Sequence, residues 1–512
     1  MGAFCVGGLT VQRDGLGRET GRQVGDFVAQ QQYDALGRIR RQIAGPTAAF
    51  EALQTNPARA LEQLSRQVYH YDAAGQLERV ETEADTSTYR RDVRGQILSS
   101  ENLLQPAEHF RYDATMNIAA HGQQAPVDAH RYGRGGLPAQ VGHARYQYDA
   151  RGRTIGKTVE QPGFRPKTWQ YTWDGLNRLV KVVTPERGVW VYRYDALNRR
   201  VEKREVGGRE VVKFLWDGPA LAERWIEKRD GTTGQAVTWH IEPGSFTPFA
   251  QETDDGLFPI LTDQVGLPKV VFDQYGKQVW KATYSLWGKL LPARRATAND
   301  EASTLDTTLR FPGQWADDES GLSYNLNRYY DPESGQYLSS DPIGLRGGTR
   351  TQGYVHDPLQ MCDIFGLLPC AKPAGKKVST KVYRYEQPDR LDTTWTAHKW
   401  NIASTHRYTQ EGLGGVYGAD SPETALGEVN HYGVDLSTRD LISKDVTLNN
   451  VLDLTDPSVR NQLGVSLDDI TGDSYVKTHE LGNWAASQGY DGILAPSARN
   501  PGGANLVSFG GF

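Results

Sequence analysis

An aromatic residue followed by aspartate, then a small turn with Gly or Asn and a polar or basic residue, recurs through the first half of the chain. Self-similarity at a fixed period restricts the fold more tightly than any other property of a sequence. Tyr33-Asp34 opens YDALGR, Tyr71-Asp72 YDAAGQ, Tyr112-Asp113 YDATMN and Tyr148-Asp149 YDARGR. Further on stand Trp173-Asp174 in WDGLNR, Tyr194-Asp195 in YDALNR and Trp216-Asp217 in WDGPAL. Degenerate copies at Asp14 (RDGLGR) and Asp92 (RDVRGQ) bring the set to nine, spaced by 20 to 25 residues or nearly twice that. Each unit suits one β-hairpin: the aspartate side chain can accept turn N–H groups, Gly or Asn supplies φ > 0, and alternation such as YRYD puts aromatics on one face. One hairpin cannot bury that face alone, whereas stacked hairpins can, so a long spiralling sheet is the expected solution.

With 512 residues, two or more domains are expected. Gly at 55, Tyr at 25 and Trp at 12, with 38% hydrophobic residues, point to turn-rich β structure rather than a helical bundle. The net charge of −5 gives the whole chain no footprint for neutralising phosphates, which disfavours nucleic acid as a partner. No apolar run reaches membrane-spanning length, and the start MGAFCVGGLT lacks the parts of a signal peptide. Val6 stands where a myristoylation signal needs Ser or Thr. Cys5, Cys362 and Cys370 are odd in number and without metal-ligand spacing, so neither a disulfide framework nor a bound metal is expected.

The repeat resembles the Rhs/YD-repeat family, whose sheets wind into a hollow cocoon, over roughly residues 10 to 340. The repeat at Asp14 follows no atypical capping unit, which implies a longer shell. Residues 311–367, which include DPIGL and DIFGL, resemble the Rhs-associated core that ends such shells. In that family the core plugs the cocoon and an aspartyl-protease-like site cuts the chain after the final Leu. The resemblance therefore implies Asp341 and Asp363 as the carboxylates and cleavage between Leu367 and Leu368, although Asp-Pro also simply caps turns. Two carboxylates held close cannot both ionise, so one keeps its proton as acid while the other activates water. Ile364 stands where the family shows Pro.

Past CAKPAGKKVST the YD units vanish and mixed helix and strand signals begin. Residues 371–512 hold 13 Lys and Arg against 17 Asp and Glu, a net charge of −4 that disfavours a polyanion binder. VYRYEQ reads as a strand carrying Arg384. The segment 405–432 offers Arg407, a Gly-rich turn, a strand around Tyr417, and a helix capped by Asp420 or Ser421 with Pro422 in its first turn. On that helix Thr424, Glu428 and Tyr432 share one face, with Ala425 and Val429 beside it. GYDGILAPSARNPGGANLVSF gives a strand, a turn with Ser497 and Arg499, and a strand from Asn505 to Phe509.

In this order these features resemble the RES domain family, with HRYT where its members show GRWN-like residues. The resemblance implies an ADP-ribosyltransferase-like α+β fold that consumes NAD+ as substrate, by hydrolysis, phosphorolysis or ADP-ribosyl transfer, and needs no metal. Breaking the N-glycosidic bond of NAD+ passes through an oxocarbenium-like state that a carboxylate under the ribose stabilises, the role of Glu428. Arg384 and Arg407 suit the pyrophosphate, Tyr417 can stack on nicotinamide, and the Ser497 hydroxyl can fix a ribose or phosphate oxygen. A Ser-His-Asp reading through Ser497, His431 or His479 and Asp491 lacks a nucleophile-elbow sequence.

The whole is therefore expected to be mainly β: a YD-repeat shell over 1–310, the core over 311–367, a linker over 368–380, and a small α+β toxin domain over 381–512. Glu428 and Ser497 are its catalytic candidates, Arg384, Arg407 and Tyr417 its NAD-binding ones. Expected partners are a cognate immunity protein and a secretion apparatus of the type VI spike or Tc kind. The protein would be made in the bacterial cytoplasm, delivered without a signal peptide, and act in the cytoplasm of a target cell. Rival readings are ADP-ribosyl transfer to a protein or RNA, a nuclease, and a non-enzymatic cell-surface or structural YD-repeat protein.

Overall fold

The computed structural model describes the chain apart from residues 1–2, 7, 15–17, 123–127, 243–245, 292–304, 307, 348–349, 368–369, 372–374, 399–401, 411, 432, 464 and 488. Leu368 and Tyr432 thus lie outside the described residues. Among the described residues, twelve strands from Ala3–Val6 to Asp128–Ala129 form one sheet and fifteen from Arg131–Tyr132 to Gln278–Lys281 a second, each strand bonded to the next in sequence.

The repeats are the hairpin ends. In YDALNR, Asp195 Oδ1 accepts the N–H groups of Leu197 and Arg199, both at 2.9 Å, and Oδ2 accepts Arg199 Nε at 2.7 Å. Asp34, Asp149 and Asp174 repeat this geometry. The left-handed position falls on Gly37, Gly152, Asn177 and Asn198, and in YDATMN on Met116 at φ 69°. The carboxylate's grip on the turn thus holds even a side chain that rarely adopts such a conformation. Asp217 departs from the pattern, pairing directly with Ala220 across a two-residue turn. Two further copies, at Asp263 (TDQVGL) and Asp273 (FDQYGK), make the same two backbone bonds, with Thr262 and Phe272 in place of a Tyr or Trp.

The aromatic of each unit ties its hairpin to the preceding one. Tyr33, Tyr71, Tyr112 and Tyr194 donate their hydroxyls to the carbonyls of Glu19, Ile39, Ile97 and Leu179, and the Trp173 and Trp216 indoles do the same to Thr154 and Arg200. A buried polar tip is satisfied while the ring is desolvated, which is why Tyr and Trp fill this position. The end of the second sheet returns to the first: Phe27 meets Phe272 with ring centroids 5.1 Å apart, and Arg22 donates to Phe249 O at 2.7 Å.

Residues Trp315–Asp317, Leu322–Asn325, Arg328–Asp331 and Gln336–Tyr337 form a four-stranded sheet, buried almost throughout, between the two large ones. Successive side chains on a strand face opposite ways. Tyr329 accordingly joins the cluster of Tyr171, Leu179, Val182 and Tyr192, while Tyr330 joins that of Tyr69, Leu77, Ile97 and Phe110. Buried ion pairs tie this small sheet to the second large one: Arg200 meets Asp317 through two bonds of 2.5 and 2.9 Å and lies 4.4 Å from the centre of the Tyr324 ring, and Lys157 stands 2.8 Å from Asp331.

The rest of the chain builds a five-stranded closed barrel with helices on its outside. Its strands are β1 (Lys376–Glu386), β2 (Val416–Ala419), β3 (Asp440–Asp453), β4 (Gly492–Pro496) and β5 (Ala504–Ser508), in the order β1-β2-β5-β4-β3. Only β3 and β4 run parallel. Val382, Val446, Val451 and Leu506 fill the interior, while Leu452, Ile493 and Val507 pack with Ile470, Leu481 and Ala485 of the helices. Closure of β1 on β2 leaves no room for a side chain at Gly418, where a Cβ would stand 2.6 Å from Val382. This small part is α+β in character, as expected from its sequence.

Candidate active site

Helix α1 (Pro422–His431) lies beside the mouth of the barrel. Ser421 caps it, accepting the Thr424 N–H at 3.1 Å, while Asp420 turns away to accept the Ala504 N–H of β5. Buried Thr424 accepts a bond from Asn500 at 2.9 Å, which fixes the helix against the turn between β4 and β5. Glu428, one turn further along, then faces a cleft of about 420 Å³ lined also by Ala425, Val429, Arg384, Tyr417 and Arg407.

The Glu428 carboxylate is held by one oxygen. Its Oε1 accepts the Ser497 hydroxyl at 2.9 Å and the Asn505 amide at 2.7 Å. Ser497 is buried, and its Oγ accepts in turn the N–H groups of Arg499 and Asn500 at 3.1 and 3.0 Å. The hydroxyl expected from sequence to fix a ribose or phosphate oxygen is thus bonded to three protein groups, the Glu428 carboxylate among them. Asn505 went unnoticed as a site residue. Its only sequence signal is its place on a strand, and its register opposite Ala419 and Ala495 is what brings it to Glu428.

Arg384 and Tyr417 meet on the opposite wall, where the guanidinium donates to the Tyr417 carbonyl at 3.5 Å. Burial lowers the pKa of Arg384 from its ordinary value, with Glu386 pulling it back up and Arg439 adding to the fall. The Tyr417 hydroxyl accepts the Tyr408 N–H at 3.0 Å, and its ring lies 5.6 Å from that of His406. Burial, then the charge of Arg384, lowers the His406 pKa, leaving a neutral imidazole in the cleft at neutral pH. Arg407 lines the cleft too, but its Nη1 donates to the carbonyls of Ile470 and Gly472 at 3.2 and 2.6 Å, with its guanidinium 4.7 Å from the centre of the Tyr475 ring. Arg439 and His406 were not singled out from the sequence. Asp491 accepts the N–H groups of Asn449 and Asn450, and His479 pairs with the His406 carbonyl, so these two do not join Ser497 in a triad.

A second constellation lies in the plug. Arg328 Nη2 sits 3.0 Å from both Asp341 Oδ2 and Asp363 Oδ2, so the two carboxylates named from sequence converge on one nitrogen. Asp363 also accepts the Tyr337 hydroxyl and the Leu367 N–H, both at 2.9 Å, which seats the end of DIFGL against it. The Arg328 Nε donates to Gly366 O at 2.6 Å, and its guanidinium stacks 3.7 Å from the centre of the Tyr337 ring. Burial raises the Asp341 pKa, with Arg328 opposing and Asp363 reinforcing the shift. Ile364 is buried, and its carbonyl lies so near Gly313 that a Cβ there would stand 2.0 Å away. Among the described residues no group of His, Cys, Asp or Glu has the makings of a metal site, and no helix is long and apolar enough to cross a membrane.

The chain belongs to the teneurin YD-shell family, whose model matches residues 62–352. The RES domain model matches residues 381–511, the barrel and its helices. The "Probable deoxyribonuclease RhsA" of Dickeya dadantii is 35% identical over 388 residues, covering 71% of this chain and 24% of that protein. The chain spans about a quarter of the length of the curated relatives it matches. The crystal structure of TcdB2-TccC3 without its hypervariable C-terminal region is similar over 70% of this chain and 21% of that one, at 16% identity and a TM-score of 0.41. The M. tuberculosis MbcT-MbcA toxin-antitoxin complex is similar over 26% of this chain and 75% of the compared chain, at 24% identity and a TM-score of 0.23. The chain thus joins a YD-shell region similar to those of Rhs proteins to a RES domain.

Proposed function

We propose that residues 381–512 cleave NAD+ to ADP-ribose and nicotinamide in a target cell. The observation that carries this reading is the Glu428 carboxylate, braced at one oxygen by Ser497 and Asn505, in a cleft whose other wall presents Arg384 and Tyr417. With Oε1 occupied, the remaining oxygen can lie under the ribose, where positive charge develops as the bond from C1′ to the nicotinamide nitrogen breaks. The bonding electrons leave with nicotinamide, which becomes neutral. Water adds to C1′ and gives up its proton, and Glu428 is placed to receive it. If an acceptor other than water enters, the same site performs ADP-ribosyl transfer. The name of the Dickeya relative points to a deoxyribonuclease, but the net charge of −4 over residues 371–512 supports no polyanion site there.

The arrangement around Arg328 supports self-cleavage as the step that frees this domain after Leu367. Asp341 would carry the proton and give it to the Leu367 carbonyl oxygen, while Asp363 takes a proton from the attacking water. As the C–N bond breaks, Asp363 passes that proton to the Leu368 nitrogen, which departs as an amine, and a hydroxyl of the collapsing diol returns a proton to Asp341. Residues 1–310 and 311–367 would then act as shell and plug, and 368–380 as the linker left on the toxin. A producing cell would need an immunity protein and a secretion apparatus.

The test is to induce the full chain in bacteria and follow growth and NAD+, beside Glu428→Gln. Growth arrest with falling NAD+ in the wild type and neither in the variant is expected. Arrest at normal NAD+ with no label transferred from NAD+ to macromolecules would refute the reading.

A further inference from the structure

The cleft holds two guanidinium groups against one carboxylate. Glu386, buried at the end of β1, meets Arg384 Nε at 3.3 Å through Oε2 and Arg439 Nη1 at 3.5 Å through Oε1. Arg439 stands immediately ahead of β3, and the pairing of Glu386 with Asp440 brings it across the sheet to this place. The trio carries a net charge of +1 within a largely buried wall, and the charge of Arg439 adds to burial in lowering the Arg384 pKa. The Arg439 Nε is buried with no hydrogen-bond partner among the described residues. Two like charges separated by a single carboxylate repel one another, and an anion bridging them would remove that repulsion and satisfy the idle donor. Arg407, by contrast, already spends its Nη1 on the carbonyls of Ile470 and Gly472.

Resting on the NAD+ reading above, we propose that Arg384 and Arg439 together seat the diphosphate of the dinucleotide, with Glu386 as the positioning residue that holds the two forks apart. Sequence suggested Arg384 with Arg407; the geometry favours Arg439 as the second arm. A diphosphate presents oxyanions on two adjacent phosphorus atoms, which two planar forks can grip separately and a single one cannot. Held there, the substrate reaches along the same cleft to Glu428.

Calorimetry on the full chain with ADP-ribose, and with adenosine as the phosphate-free control, tests this. Arg439→Ala is expected to weaken ADP-ribose binding at least ten-fold, to leave adenosine binding and the melting temperature unchanged, and to abolish competition by inorganic pyrophosphate. Arg439→Lys, which keeps the charge but not the fork, is expected between the two. Should the alanine variant fail to fold, the lysine variant decides: wild-type ADP-ribose affinity there overturns the clamp. Unchanged ADP-ribose affinity in Arg439→Ala, or equal losses for ADP-ribose and adenosine, overturns it while leaving NAD+ cleavage standing. A wild-type chain that binds no ADP-ribose overturns both.

Discussion

Replacing Ser497 by Ala separates a brace from a nucleophile. The substitution removes one of the two donors on Glu428 Oε1 and leaves the other, Asn505 at 2.7 Å. A hydrogen bond to a charged group contributes about 1.5–3 kcal/mol net. If that bond survives into the transition state, its loss lowers kcat by about 10- to 100-fold, since about 1.4 kcal/mol is a factor of ten. KM should stay within about three-fold, because Ser497 touches the carboxylate and not the cleft's arginine wall. The Arg499 and Asn500 N–H groups also lose their acceptor, so a local destabilisation of about 1–3 kcal/mol accompanies the kinetic effect. Glu428→Gln should cost far more, about 10³-fold or above, because it removes the charge itself. The assay is NAD+ consumption by the purified full chain, with kcat and KM for each variant and a melting curve beside them. If Ser497→Ala falls to the level of Glu428→Gln while still folded, the hydroxyl acts directly on substrate and the brace is wrong. If kcat does not move, the bond to Glu428 is catalytically idle and the reasoning fails equally.

Asp363→Asn and Asp341→Asn should each leave one band near the full 56.9 kDa on a denaturing gel, where the wild type gives two. Self-cleavage should slow as pH rises, because the raised pKa of Asp341 keeps its proton above the pH at which an ordinary Asp loses it, and that proton is lost as pH passes the raised value. The same shift has a stability sign: the folded chain binds more protons in that window, so this group's contribution falls as pH climbs from its ordinary to its folded pKa, which urea melts across the window would detect. Arg200→Ala leaves buried Asp317 with only Lys203 at 2.9 Å and should destabilise the shell and plug by about 3–5 kcal/mol, read as an earlier denaturant midpoint.

The shell was legible because its signal is local. Asp, the left-handed residue and Arg of one unit lie within four positions, so their bonds need no knowledge of the rest of the fold. The copies at Asp263 and Asp273 escaped because Thr262 and Phe272 stand in place of the Tyr or Trp, although the backbone bonds of the turn are unchanged. The plug's carboxylates were legible from DPIGL and DIFGL, but Arg328, 13 and 35 residues away from them, was not, since nothing in a sequence says which arginine enters a buried site. In the RES domain the residues named from one helix or strand line the cleft, and those brought there by register between strands were not named: Asn505 through β2 and β5, Arg439 through β1 and β3. The partners of Ser497 were not legible either, because a hydroxyl's neighbours are set by the fold and not by its own segment.

The two constellations share no residue. Arg328, Tyr337, Asp341 and Asp363 all come from the plug, and the cleft residues all come from Tyr383 onward. The cleavage proposed at Asp363 therefore draws on no barrel residue named above, and the chemistry proposed at Glu428 on none from the plug. Their link is the chain itself: Leu367 is held by its N–H on Asp363, and β1 begins at Lys376, ten positions before Glu386. A stretch that short and rich in small residues, LPCAKPAG, can be cut or left whole without altering the register of β1 with β3, which rests on pairs from Lys376 to Glu386. A substitution that stops cleavage should then act on release, and leave the geometry around Glu428 as it is.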